Sequence, residues 1–263
     1  MYSIEVKNLE FGYREALVLK GLTFNIKKGE FVSIIGPNGS GKSTLLKTLN
    51  NLYKPNSGDI LIEGKNVEDY RKKDLAKIVG FVPQDTTIDY DFTVEDIIMM
   101  GRHPYKGRFQ KEDKIDYKIV NDVMEMTNTL KFKNSLITEI SGGERQRVII
   151  AKVLAQNPSI ILLDEPTSHL DINHQIDLLN LLRTLNKEKG TTIILVIHDI
   201  NLAARFSDDI ILLNEGEIIG SGNPEDVITA ENMEKAYNLD VAIENNKYTN
   251  TVSLIPLKLR RIS

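Results

Sequence analysis

Short apolar runs separated by polar, glycine-containing stretches give the chain the pattern of a mixed α/β protein. Apolar and polar residues alternate loosely over residues 4–26, with glycine at the turns, which predicts an antiparallel β layer. Continuous apolar runs are typical of strands buried on both faces of a parallel sheet. Such runs occupy residues 31–35, 78–82, 160–163 and 192–197. Residues 57–64 and 209–219 each predict a hairpin.

Apolar residues at helical spacing predict three helices between the second and third of these buried strands. The helices cover residues 94–100, 115–126 and 144–155. Because no strand is predicted there, residues 85–157 are expected to form a helical lobe inserted in a core of residues 1–84 and 158–263. A further amphipathic helix, with Asp171 as its N-cap, is predicted after the third buried strand.

A glycine-rich segment with the spacing of a Walker A phosphate-binding loop follows the first buried strand directly. Its residues are Gly36, Pro37, Asn38, Gly39, Ser40, Gly41, Lys42, Ser43 and Thr44. Glycine leaves backbone N–H groups clear to surround phosphate oxygens, and the following helix N-terminus and Lys42 add positive potential. A turn that binds nothing would not explain the pair Lys42 and Ser43, so the segment predicts a phosphate site.

The buried strands that follow the loop also deliver polar groups at their carboxyl ends. These groups are Gln84, the pair Asp164 and Glu165, and His198. Ligands of doubly wound α/β sheets bind at that edge. Paired acids are costly to bury, so a cation is expected beside them, and Mg²⁺ is the economical candidate near phosphate. Because adjacent residues of an extended chain point to opposite sides, Asp164 and Glu165 are predicted to have different roles.

Residues 140–146 open the last helix of the predicted lobe. Ser141 and Glu144 have the spacing of a capping box, which is a good structural explanation for both. It does not explain Gly142 and Gly143, because glycine in a helical turn costs about 1 kcal/mol relative to alanine. A second anion contact at this helix N-terminus would explain them.

Composition narrows the function classes. The 263 residues include 33 basic and 37 acidic side chains, and a net charge of −4 gives no overall attraction for nucleic acid. The lack of cysteine excludes disulfides, thiolate catalysis and cysteine-held metal centres in this chain. No apolar stretch reaches the roughly 18 to 20 residues that span a bilayer, and the start lacks the apolar core of a signal peptide. The cytoplasm is therefore the expected compartment, and a membrane role would require a partner.

Together these motifs resemble the nucleotide-binding subunit of ATP-binding cassette (ABC) transporters over almost the full chain. The matching elements are the Walker A loop at residues 36–44, the Q-loop at Gln84, the signature motif at 140–146, the Walker B strand at 160–164, the D-loop at 168–171 and the switch histidine at His198. The implied fold is a P-loop NTPase core with an antiparallel β layer and an inserted helical lobe. Glu144 and His169 depart from the family's commoner residues at their positions.

The resemblance implies ATP hydrolysis. Lys42 would hold the β- and γ-phosphates, Glu165 would act as general base, and His198 would position the attacking water. The Mg²⁺ shell would be completed by Ser43, Gln84 and Asp164. Tyr13, which the pattern alone favours as an ordinary strand aromatic, falls where the family places an aromatic that stacks on adenine. Asp171 joins the nucleotide-binding set through the D-loop match, whereas His169 and His174 are expected to be solvated.

The resemblance also implies partners. Ser141, Gly142 and Gly143 would cover the ATP of a second copy in a head-to-tail homodimer. Residues 101–105, 141–147 and 171–175 are similar to the branch that serves uptake of iron–siderophore complexes, haem and cobalamin. An importer motor implies membrane-spanning permease subunits and, indirectly, an extracytoplasmic substrate-binding protein. The chain would then lie peripherally on the cytoplasmic face of the cell membrane, with no nucleic acid partner.

Other functions compete with the importer. A soluble ABC ATPase in DNA repair, translation or iron–sulfur assembly is the alternative, although the chain has no long coiled-coil insertion and no basic tail. A small-molecule kinase or GTPase would leave residues 141–146 unexplained. Residues 86–92, with alternating Ile88, Tyr90 and Phe92, are either a lining for permease docking or ordinary loop packing.

Overall fold

The computed structural model describes residues 1–14, 16–85, 88, 90–107, 110–168 and 170–259. The chain forms two compact units, one made of Met1–Asp69 with Thr192–Ser263 and the other of Tyr70–Thr191. The predicted lobe of residues 85–157 lies entirely within the second unit, and the assignment of its flanking segments to the core stays a prediction. Within the described ranges, no helix has the length and apolar character needed to cross a membrane.

Strands and helices are numbered in chain order. The strands are β1 (Tyr2–Tyr13), β2 (Ala16–Lys27), β3 (Phe31–Ile35), β4 (Ser57–Ile62), β5 (Lys65–Asn66), β6 (Val79–Val82), β7 (Ile160–Asp164), β8 (Thr192–Val196), β9 (Asp209–Asn214), β10 (Glu217–Gly222), β11 (Leu239–Asn246) and β12 (Thr251–Leu259). The α-helices are α1 (Lys42–Leu49), α2 (Lys72–Ile78), α3 (Val94–Met99), α4 (Lys114–Met126), α5 (Gly142–Ala155), α6 (Ile172–Lys189), α7 (Ile200–Phe206), α8 (Pro224–Val227) and α9 (Ala230–Tyr237). Short 3-10 helices cover Val67–Asp69, Met100–Tyr105, Leu130–Phe132 and Ile137–Glu139.

The predicted antiparallel β layer is present in the first unit, with strand order β2-β1-β4-β5. Its register pairs Ile4 with Ile26, and both side chains are almost fully buried on one face of the layer. The prediction of a hairpin at residues 57–64 is correct for the first strand, β4, and wrong for the position of the second strand. The chain turns at Glu63 and Gly64, which have φ values of 49° and 80°, and the return strand is β5.

Strand β3 lies between β8 and β9 in the same unit and pairs with both in parallel. All five residues of β3 are buried, as its continuous apolar run predicts. Because β3 and β8 run in the same direction, the segments that follow them leave the sheet at the same edge. The predicted closing hairpin is also present, since β9 pairs with β10 in the antiparallel direction.

The second unit contains the parallel pair β6 and β7 and the predicted helices α3, α4, α5 and α6. A Cβ built on Gly80 of β6 would lie 2.4 Å from Cγ1 of Val153, so glycine lets α5 pack closely on this strand. Helix α2 was not predicted. Ile78 is the last residue of that helix rather than the first of a strand, and β6 begins at Val79.

A buried ion cluster joins the segment after α3 to α4 and α5 within the second unit. Nε of Arg102 donates to Oδ1 of Asp116 at 3.0 Å, and its Nη1 donates to the carbonyl of Ala155 at 2.7 Å. Lys106 bonds both Asp116 and Asp113. Burial alone would raise the pKa of Asp116, but hydrogen bonds from Lys106, the Asp113 amide and Arg102 lower it to about 2.

Candidate functional site

The Walker A segment forms a loop with its lysine held inside. Nζ of Lys42 donates to the carbonyls of Gly36 at 2.9 Å and Pro37 at 2.8 Å, and the side chain is only 5% exposed. Asn38 and Gly39 form the exposed rim of the loop. A buried ammonium group at this position gives the inside of the loop positive potential, which suits a phosphate.

The backbone of the loop requires glycine at two positions. Gly36 has a φ of 149°, and a Cβ built there would lie 2.0 Å from the carbonyl oxygen of Leu213. Gly41 has a φ of 103° and is the N-cap of α1, so no side chain caps the helix. The first turn of α1 also contains no acidic residue. Its N–H groups are therefore available to an anion at the end of the helix dipole where negative charge is favoured.

Ser40, Ser43 and Thr44 complete the loop and the start of α1. Ser40 is 2% exposed, and its hydroxyl makes no hydrogen bond within the described part of the chain. Ser43 and Thr44 lie in the first turn of α1 and are half-buried. Because these hydroxyl groups follow the loop directly in sequence, they are expected to lie near a phosphate bound by the loop.

Tyr13 belongs to a cluster of three aromatic rings at the end of β1. Its ring meets those of Phe11 and Tyr53 edge to face, with centroids 5.1 Å and 5.7 Å away. Phe11 and Tyr53 stack on each other with centroids 5.2 Å apart. Tyr13 is 48% exposed, which leaves a large part of its ring open to a ligand. Sequence reasoning missed Tyr53, whose only signal is that it is an aromatic residue shortly after the phosphate-loop helix.

Tyr237, at the end of α9, is a second residue that the sequence did not single out. Burial raises the pKa of its phenol to about 12, and the backbone of Gly36 lies within hydrogen-bonding reach of the hydroxyl and opposes that shift. The C-terminal segment of the first unit therefore contacts the first glycine of the loop. His198 follows β8 at the same sheet edge and is exposed.

In the second unit, Gln84 and Glu165 lie side by side. Nε2 of Gln84 donates a hydrogen bond to Oε2 of Glu165 at 2.6 Å. Strands β6 and β7 are parallel, so the two residues that follow them leave the pair at one edge. Asp164, the last residue of β7, is 1% exposed, whereas Glu165 is half-buried.

One premise about the acidic pair is wrong. The chain is not extended at Glu165, because its φ is 50°, in the left-handed region that is uncommon for residues other than glycine. The turn, rather than strand alternation, sets the different environments of the two carboxylates. Such strained positions are frequent where a side chain has to be aimed at a reacting group.

The predicted capping box of α5 is confirmed. The Ser141 hydroxyl accepts from the Glu144 N–H at 3.4 Å, and Oε2 of Glu144 accepts from the Ser141 N–H at 3.0 Å. Oε2 also accepts from the Ser141 hydroxyl at 2.8 Å, and the hydrogen bonds that Ser141 donates lower the pKa of Glu144. Ser141 and Gly142 are exposed, and Gly143 is half-buried. A Cβ built on Gly142 would meet nothing within 4 Å, so the described part of this chain supplies no steric reason for that glycine.

Asp171 is the N-cap of α6, as predicted. Its carboxylate accepts a hydrogen bond from the backbone N–H of His174 at 3.0 Å and contacts Nδ1 of the same residue at 2.8 Å. His174 is partly exposed, in keeping with its expected solvation. His169 lies outside the described residues, as do Thr86, Thr87 and Asp89 of the predicted docking stretch.

Comparison with known proteins decides the family. The family model described as ABC transporter matches residues 19–168, more than half of the chain. The chain belongs to the ABC transporter family. Tyr13 and His198 lie outside the matched range, so their roles rest on the likeness of the wider sequence.

Known ABC proteins resemble this chain over nearly their full length. The ferric enterobactin transport ATP-binding protein FepC of Escherichia coli (strain K12) is 41% identical over 251 residues, 95% of this chain and 93% of that protein. A solved ABC transporter described as metal-chelate type, in an inward-facing conformation, matches with a TM-score of 0.85 at 30% identity over 98% of both chains. The ATP-binding cassette MJ0796, solved as a dimer in a post-hydrolysis state with ADP and Pi, matches with a TM-score of 0.73 at 36% identity, over 84% of this chain and 98% of that one.

These likenesses confirm three predictions: the ABC family, the P-loop ABC ATPase fold, and an ATP-binding ATPase. The roles of individual ABC site residues stay predictions. Among the described residues, no group of three His, Cys, Asp or Glu side chains could by itself hold a metal ion.

Proposed function

We propose that the chain is the ATP-hydrolysing subunit of an importer whose cargo is a metal chelate such as an iron–siderophore complex, haem or cobalamin. The observation that carries the ATPase part is the buried Lys42 inside a loop that ends at the uncapped N-terminus of α1. The likeness to FepC and to a metal-chelate type transporter supports the cargo class.

Mg²⁺ is the proposed cofactor beside ATP. The hydroxyl of Ser43, the amide oxygen of Gln84 and the carboxylate of Asp164 are the hard oxygen donors that Mg²⁺ prefers. Nε2 of Gln84 is engaged by Glu165, so its Oε1 is the amide atom left to face a cation. When bound, Mg²⁺ would neutralise phosphate charge, and the incomplete protein donor set fits an ion that also takes phosphate oxygens and water.

Glu165 is the proposed general base. The hydrogen bond from Gln84 fixes one carboxylate oxygen, and the left-handed backbone at Glu165 ends the extended course of β7. As a carboxylate, Glu165 can accept a proton from an attacking water. His198 is proposed to position that water, and Lys42 to hold the β- and γ-phosphates.

A head-to-tail homodimer would use the signature residues on the nucleotide of the partner. Ser141 and Gly142 are exposed at the N-terminus of α5, and nothing nearby in the described chain accounts for the glycine. An anion brought by a second copy would account for it, since bare backbone lets a phosphate approach the helix end. The dimeric structure of the MJ0796 cassette supports the pairing of two copies. In the proposed arrangement Asp171 would also lie near the interface.

Permease subunits in the membrane are the proposed partners, with a substrate-binding protein acting on them from the other side. The chain would lie on the cytoplasmic face, where ATP is available. Tyr90 and Phe92 are 72% and 40% exposed and are therefore surface residues, which favours docking over loop packing for this stretch.

Disruption of the gene, combined with uptake assays for labelled iron–siderophore, haem and cobalamin, tests the importer directly. Loss of one uptake activity, restored by the wild-type gene but not by a Lys42→Ala variant, is the expected result. Glu217→Gln, on the exposed surface of β10, is the control and should restore uptake. Normal uptake of all three cargoes, with the protein found away from membranes, would favour the soluble ABC ATPase instead.

A further inference from the structure

The residue that sequence reasoning missed, Tyr53, lies between the phosphate-loop helix and Tyr13. Its backbone N–H donates to the carbonyl of Lys47 in the last turn of α1 at 3.3 Å, beside the 2.9 Å bond from Leu52 to the same carbonyl. Nζ of Lys47 also lies 5.8 Å from the centroid of the Tyr53 ring. Tyr53 is therefore fixed to the C-terminal end of the helix whose N-terminus closes the phosphate loop.

The other side of this segment is fixed to β1. Asn56 donates its backbone N–H to the carbonyl of Glu10 at 2.8 Å, and its Oδ1 accepts from the N–H of Gly12 at 2.8 Å. Gly12 immediately precedes Tyr13. Residues 50–56 thus form a strap, held at one end by α1 and at the other by the strand that carries Tyr13.

Between these two attachments, the ring of Tyr53 sets the surroundings of the Tyr13 ring. The two rings meet at an interplanar angle of 85°, and Phe11 holds Tyr53 in an almost parallel stack at 7°. The hydroxyl of Tyr13 also raises the pKa of the Tyr53 phenol. An exposed aromatic ring loses conformational entropy when a ligand orders its two χ angles. Contacts that already order the ring in the free protein reduce this loss on binding.

We propose that Tyr53 is a positioning residue for the nucleotide base, which holds Tyr13 in its base-stacking orientation and ties that ring to the phosphate-loop helix. The inference rests on the proposed adenine contact of Tyr13. In this proposal Tyr53 supports base binding through Tyr13 and does not have to contact the base itself. Loss of the Tyr53 ring should therefore weaken nucleotide binding only for ligands that contain a base.

Calorimetric titration of the purified chain with ATP and with inorganic triphosphate, both with Mg²⁺, separates binding of the base from binding of the phosphates. Tyr53→Leu should raise the Kd for ATP about three- to tenfold, the effect of losing an edge-to-face aromatic pair, and leave the Kd for triphosphate unchanged. Tyr53→Phe keeps the ring and should restore most of the ATP affinity. In steady-state assays KM for ATP should rise while kcat stays near wild type. Leu52→Ala, an exposed neighbour on the strap, is the matched control.

A double-mutant cycle decides whether Tyr53 acts through Tyr13. In the Tyr13→Ala background, Tyr53→Leu should have little further effect on the Kd for ATP. An additive effect, an equal loss of triphosphate binding, or unchanged ATP affinity in Tyr53→Leu would each overturn the inference. If Tyr53→Leu unfolds, Tyr53→Met keeps the volume without the ring and carries the same test. Unchanged ATP affinity in Tyr13→Ala would instead remove the adenine contact that the ABC resemblance implies for Tyr13, so the two failures are distinguishable.

Discussion

Gln84 holds Glu165 by a 2.6 Å hydrogen bond from its Nε2 to the carboxylate Oε2. The residue proposed as a Mg²⁺ ligand is thus in direct contact with the residue proposed as general base. A movement of Gln84 toward a cation would release or redirect the carboxylate. With the roles proposed above, this bond would couple Mg²⁺ binding at Gln84 to the readiness of Glu165 for hydrolysis.

Glu165→Gln should lower kcat for ATP hydrolysis by at least about 100-fold, because a general base contributes on that scale, and should leave the Kd for ATP nearly unchanged. A coupled assay for phosphate release and an equilibrium titration with ATP give the two values. The variant should also accumulate as a dimer with ATP in size-exclusion chromatography. Hydrolysis near the wild-type rate would remove Glu165 from the role of base.

Gln84→Ala should lower kcat less than Glu165→Gln does, since it removes a positioning bond and one proposed Mg²⁺ contact but keeps the carboxylate. The dependence of kcat on Mg²⁺ concentration should shift to higher values. An Mg²⁺ titration of the ATPase rate checks this. An unshifted titration with unchanged kcat would show that the bond to Glu165 has no catalytic consequence.

Tyr13→Ala should weaken ATP binding by about 1 to 3 kcal/mol, the range for a base stacked on an aromatic ring, while turnover at saturating ATP changes less. Fluorescence or calorimetric titration provides the Kd. Tyr248→Ala, an 87% exposed residue in the C-terminal hairpin, is the control. Equal affinity of Tyr13→Ala and wild type for ATP would make Tyr13 an ordinary strand aromatic.

Tyr90→Ser combined with Phe92→Ser should impair association with the permease and transport, while the ATPase activity of the isolated chain is retained. Both residues are exposed, with rings 6.3 Å apart, so their loss should not open the core. Pull-down with the permease and uptake assays measure the two effects. Loss of ATPase activity together with the fold would identify these rings as packing residues.

Asp116→Asn should destabilise the second unit by about 3 kcal/mol at neutral pH, because it leaves buried Arg102 without its carboxylate. The sign of the pH dependence follows from the lowered pKa, which falls from 3.8 in the unfolded chain to about 2. The stabilisation from Asp116 is present above pH 4 and is lost as the pH falls toward 2. Denaturant titrations from pH 7 to pH 2.5 should show a larger loss of stability in wild type than in the variant. Asp122→Asn, exposed on α4, is the control.

Gly142→Ala should stabilise the fold and impair function together. Position 142 is helical and open, so alanine should raise the free energy of unfolding by up to about 1 kcal/mol. The added methyl would stand where the proposed partner phosphate approaches, so ATP-dependent dimerisation and ATPase activity should fall. Thermal unfolding and chromatography with ATP measure the two effects. Undiminished dimerisation would remove Gly142 from the interface.

Much of the fold follows from local sequence. The run Phe31–Ile35, the capping box of Ser141 and the N-cap at Asp171 are decided by neighbours a few residues away, and all three are present. Tyr53 and Tyr237 could not be found in this way. Their contacts with Tyr13 and Gly36 depend on how distant segments pack, which periodicity and motif spacing do not encode. The left-handed turn at Glu165 was missed because a strand pattern predicts extended backbone until the chain leaves the sheet.

The open surroundings of Gly142 have a genetic consequence. A chain with alanine at this position would fold and, if copies pair as proposed, enter dimers with normal chains. In each mixed dimer, one of the two nucleotide sites would be covered by the altered signature residues. Such an allele should therefore be dominant over the wild-type gene, whereas an allele that unfolds the chain should be recessive.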